Sequence, residues 1–141
     1  MERLNMKLRI ISSRDEIRII NSNEKMVHLA FRPNNIDLLE LMKRCPGLKA
    51  IQIPHSYYKT ISDASLVLMN IESVELLAGD VWGHRKDLNE YLIIDKTIIK
   101  EIISLAKKGA LAENIADQIK EKARLSPDLI NYIIKDKTTE H

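Results

Sequence analysis

Four short apolar runs punctuate the first two-thirds of the chain, at 7–11, 26–31, 49–53 and 74–78. Each ends in a polar cluster: Ser12-Ser13-Arg14, Arg32-Pro33-Asn34-Asn35, His55-Ser56-Tyr57 and the stretch from Asp80 to Arg85. The runs repeat at roughly 20–25 residues, the length of a compact strand–helix unit. The intervening segments carry helix signals. Ser13 followed by Glu16 reads as a capping box opening a helix over 14–20. Asn34 or Asn35 caps a helix whose apolar face is Ile36, Leu38, Leu39, Leu41 and Met42, and Cys45-Pro46-Gly47 ends it. Ser62 caps a third helix, to about residue 70.

Strand–helix–strand units with short connections require parallel strands, so the pattern predicts an α/β domain with a small parallel four-stranded sheet. Alternation sets the layers. Leu8 and Ile10, Val27 and Leu29, Ile51 and Ile53, and Val74 and Leu76 are expected on one face, with Arg9, His28, Gln52 and Glu75 on the other. A sheet covered on both faces reads as nearly continuous apolar strands. The half-polar pattern therefore predicts two layers and an open face; the alternative is a Rossmann-like sheet with helices on both sides.

After Tyr91 the periodicity becomes helical. Helices are predicted over 97–107, stopped by Gly109, over 112–122, and from a Ser126 cap with Pro127 in the first turn. The organisation read from the sequence is thus 1–91, the parallel α/β domain, and 92–141, a C-terminal three-helix module.

Three resemblances add to this. The run from Cys45 to Ile53, then Ile61-Ser62-Asp63 and the Ile71/Val74/Leu76 spacing, resembles the cysteine-containing leucine-rich repeat over 45–76. That likeness implies a curved parallel sheet with strands in sequential order. Residues 97–137, through LAKKGALAENIADQI and LSPDLINYIIK, resemble a helix-turn-helix. It implies DNA binding, with the last helix entering the major groove. Asn131 is then the candidate base reader, and Lys107, Lys108, Lys120, Lys122, Arg124 and Lys135 the candidate contacts beside it. A solvated helix face explains the same charges. The whole chain, through KLRIISSR, VHLAFRPNN and GDVWGHRKDLNEY, resembles an uncharacterised family of small archaeal proteins, mainly from methanogens. That likeness implies a cytoplasmic archaeal setting and transfers no catalytic residue.

Composition narrows the function classes. A hydrophobic fraction of 45% supports a packed core, and a net charge of +2 with interspersed signs argues against bulk polyanion binding. No apolar stretch reaches the ~20 residues of a membrane span, no signal peptide is visible, and a cytoplasmic location is expected. Met1 and Met6 are both candidate starts. The single cysteine, Cys45, reads as a buried structural thiol.

Parallel α/β sheets bind ligands beyond the carboxyl ends of their strands. The candidate anion edge there is Ser13, Arg14, Arg32, Asn34, His55, Tyr57, Asp80, Trp82, His84 and Arg85. The arginines suit carboxylate or phosphate, Trp82 suits stacking, and His84 suits proton transfer. Loop polarity and helix capping account for the same residues. The histidines lack zinc spacing, no phosphate-binding glycine loop or nucleophile elbow is present, and no metal or cofactor is expected. The reading favours a binding or regulatory protein, with DNA or a small anion as partner. An enzyme at the strand-end edge and a protein-interaction module or homodimer remain alternatives.

Overall fold

A computed structural model of the chain describes residues 5–81 and 90–138. Strands β1 (Met6–Ile11), β2 (Met26–Leu29), β3 (Ala50–Ile53) and β4 (Glu75–Ala78) are parallel, as the short crossovers require. A fifth strand, β5 (Tyr91–Ile94), pairs antiparallel with β1, giving the order β4-β3-β2-β1-β5. The four parallel strands thus lie in sequential order. Sequence reasoning did not foresee β5. Four residues of apolar chain leading into a helix carry no periodicity that separates strand from helix.

The first crossover is a 3-10 helix, Arg14–Ile19. Its Ser13 side chain forms no cap bond. Instead the Glu16 carboxylate accepts from the Ser12 N–H and the Ser13 hydroxyl, in place of the expected reciprocal capping box. Helix α1 (Asn35–Arg44) does have a full box: the Asn34 side chain accepts from the Asp37 N–H, and the Asp37 carboxylate accepts from the Asn34 N–H. A single turn, α2 (His55–Tyr58), precedes α3 (Asp63–Ile71), capped by Ser62 as expected. These crossovers bury Ile17, Leu38, Leu41 and Met69 against Ile11, Val27, Leu29, Ile51 and Ile53 on one face of the sheet.

The expected open face is closed. Helices α4 (Lys96–Lys107), α5 (Ala112–Ile119) and α6 (Pro127–Thr138) cover it. A second apolar cluster joins Met6, Leu8, Met26, Ala50, Leu77 and Ile94 of the sheet to Ile102, Ile115, Ile119, Ile130 and Ile133 of the helices. All five of these isoleucines are fully buried, and together they contribute on the order of 10 kcal/mol of transfer free energy. Two things misled the alternation. Arg9 pairs with Val27 and Ile10 with His28, so Leu8 and Ile10 face away from the Val27/Leu29 side. His28 and Gln52 point under the helical module, where they are 2% and 1% exposed. The result has three layers, but it is not doubly wound: the crossovers share one face and the C-terminal helices supply the other.

The module is locked to the sheet at the end of β4. The Asp128 carboxylate accepts from the Ala78 N–H at 2.9 Å, and Lys135 pairs with Glu75. Ser126 caps α6 through the Leu129 N–H, and Gly109, at φ +95°, ends α4 in the left-handed region expected of a helix-stopping glycine. No helix among the described residues is long and apolar enough to cross a membrane.

Candidate nucleic-acid interface

In a helix-turn-helix the last helix must present a broad face to the groove. Here α6 lies between the sheet and its partner helices, with Leu129, Ile130, Tyr132 and Ile133 buried. Only Asn131, Lys135 and Thr138 are exposed along it. Lys135 is engaged by Glu75, and Asp128 is turned inward onto the β4 backbone. Asn131, the expected base reader, and Lys135, an expected contact, thus lie on a narrow exposed edge of α6, the rest of which packs on the sheet and its partner helices.

The other expected cations divide into two groups. Lys120 pairs with Asp117 at 3.1 Å and Lys122 with Glu101 at 2.9 Å. Both, with Arg124, line a depression of about 610 Å³ beside β5 that also holds Asp95 and Glu121, so this wall carries charges of both signs. Lys107 and Lys108 stand elsewhere. With Lys96, Lys100 and Lys137 they line a groove of about 490 Å³ over α4, floored by Ile99 and Ile103. Among the described residues, no carboxylate lines this groove. Among the described residues, the ammonium groups of Lys96, Lys100, Lys107 and Lys108 have no ion-pair partner. Spacings of four and seven residues put Lys96, Lys100 and Lys107 on one helix face, spread over about 16 Å. Such a stripe can reach phosphates on both sides of a DNA groove, whose minor and major widths are ~6 and ~12 Å.

The strand-end edge is differently arranged. Arg14 donates from Nε to both carboxylate oxygens of Asp37, at 2.7 and 3.0 Å, and lies over the Phe31 ring. This bond and the Asp37 charge hold the guanidinium pKa above its ordinary value. Asn34 is used as the α1 cap. Arg32 stacks on Tyr57 at 5.4 Å, and His55 Nδ1 is 3.6 Å from Asp80 on the exposed surface. Ser13 is exposed beside Glu16. A depression of about 550 Å³ near Asn35, Thr60 and Ser62 takes in Arg32 and Asn34, while Ser13, Arg14, His55, Tyr57 and Asp80 are not in its lining. Trp82, His84 and Arg85 lie outside the described residues.

Comparison with known families places these halves together. Residues 7–90 match the model for the N-terminal domain of a family of unknown function, DUF1699, and residues 97–135 match the model for the DUF1699 C-terminal helix-turn-helix domain. The chain belongs to the DUF1699 family. No curated protein and no solved structure matches it.

In this DUF1699 chain β5 falls between the two matched stretches and joins the helical module to the sheet. Two kinds of residue escaped sequence reasoning. Lys96 and Lys100 precede the helix-turn-helix phrase, yet they share the α4 face with Lys107; their period along the helix was the available signal. Asp37 is 3% exposed and organises both Arg14 and Asn34, and its place three residues after the cap marked it. Cys45 is buried, its thiol directed to the Asn21 carbonyl, and burial pushes its pKa up, as suits a structural rather than a reactive thiol. Among the described residues no group of His, Cys, Asp or Glu is placed to hold a metal ion.

Proposed function

We propose that this DUF1699 protein is a cytoplasmic double-stranded DNA-binding protein, with a regulatory role, that grips the duplex backbone through the α4 lysine face rather than through α6. The observation that carries this reading is the groove of five lysines with no carboxylate among the described residues that line it. The helix-turn-helix description of residues 97–135 supports it. The strand-end edge is the poorer polyanion surface, because Arg14 is already held by Asp37 and Arg32 is stacked on Tyr57.

Binding of this kind is dominated by phosphate neutralisation and is salt-sensitive. Four phosphate contacts correspond to a slope of about −3.6 in log K against log salt, a loss of about 100-fold between 50 and 200 mM. Fluorescence anisotropy with a labelled duplex measures it. A slope of at least this steepness supports the reading; binding that is absent at 50 mM, or that ignores salt, removes it.

A further inference from the structure

The α4 groove does not stop at the module. Lys137 of α6 lines it, and Lys137 also lines a second depression of about 280 Å³ at the amino ends of the strands. That depression is walled by Lys25 and Lys49, the residues entering β2 and β3. Both side chains are exposed, and neither ammonium group has an ion-pair partner among the described residues. The Lys49 N–H donates to the Lys25 carbonyl at 2.7 Å, so the two backbones are fixed side by side, as on neighbouring strands. Among the described residues, two carboxylates face the same space. Glu24 is 5% exposed and accepts from the Tyr91 hydroxyl, which leaves Asp136 as the one acid set against the lysines. The start of α4 is tied to the same region, because Asn5 Oδ1 accepts from the Lys96 N–H at 2.9 Å. The lysines from Lys108 to Lys96 on α4 therefore lead through Lys137 to Lys25 and Lys49.

We infer that the DNA surface crosses the boundary between the two family domains: Lys25 and Lys49, on the sheet, contact phosphates of the same duplex that α4 holds. This rests on the α4 reading and extends it. It gives the sheet domain a direct part in binding and makes the rigid seam between module and sheet a condition for full affinity. Neither residue is in the helix-turn-helix stretch, and each sits just before a strand, at the end of the sheet opposite the one where α/β ligands are usually sought.

The test compares three double variants by salt titration against one duplex: Lys25→Ala/Lys49→Ala, Lys100→Ala/Lys107→Ala, and Lys43→Ala/Lys59→Ala on other exposed surfaces as the charge control. The expected result is a slope shallower by about 1.8 for each of the first two, at about 0.9 per phosphate contact, and an unchanged slope for the control. The sheet contact is overturned if Lys25→Ala/Lys49→Ala keeps the wild-type slope while Lys100→Ala/Lys107→Ala loses its share; the α4 reading then stands alone. An equal loss in the control also overturns it, because net charge would then suffice. If Lys100→Ala/Lys107→Ala keeps the wild-type slope, the α4 reading itself fails. All three pairs are exposed, and circular dichroism melting verifies that each variant is folded.

Discussion

Gly79→Ala is expected to destabilise the protein by about 1–3 kcal/mol, the range for overfilling a packed site. A Cβ at residue 79 would lie 2.3 Å from Gln52 Nε2, 2.5 Å from Ser126 Oγ and 2.7 Å from Ser126 Cβ. Gln52 is 1% exposed and has little room to withdraw, while Ser126 is fixed as the cap of α6. The added methyl group must therefore push the module off the end of β4, lengthening the bond from the Ala78 N–H to Asp128. Urea denaturation measures the loss through the transition midpoint, and hydrogen exchange at the Ala78 amide reports the opening of the seam. A midpoint equal to wild type would mean that the module does not bear on Gly79 as described.

Lys100→Glu/Lys107→Glu is expected to weaken duplex binding on the order of 100-fold at 0.1 M salt. Losing two phosphate contacts accounts for about 60-fold, and the new carboxylates add repulsion. Both side chains are surface groups on a helix whose buried side is Ile98, Ile99 and Ile102, so the fold is expected to persist. Glutamate and lysine also have similar helix propensity. Anisotropy titration gives the affinity. Retention of more than a third of wild-type affinity would place the phosphates elsewhere.

The elements were largely legible because their signals are local. Asn34, Ser62 and Ser126 each cap the helix that follows them, and Gly109 ends α4, all decided within a few residues. The layering was not legible, because it depends on what a distant segment covers. His28 and Gln52 read as solvent-facing, and they became buried only when α4–α6 folded back on them. β5 was missed for the same reason: its four residues are a strand because β1 offers them an edge. The candidate surface shows the same division. Lys107 and Lys108 were visible in the helix-turn-helix phrase, while the burial of α6 and the nearness of Lys25, Lys49 and Lys137 arise from tertiary contact alone.

Lysine labelling in the presence and absence of a duplex, read by mass spectrometry at low salt, tests the central claim most directly. The α4 lysines and Lys135 make opposite demands: one set lies in the open groove, the other on the narrow exposed edge of a helix held by the sheet. The account expects DNA to protect Lys96, Lys100, Lys107 and Lys108 and to leave Lys135 labelled as in the free protein. Protection of Lys135 with the α4 lysines still reactive would contradict it, and would place the duplex on the exposed edge of α6.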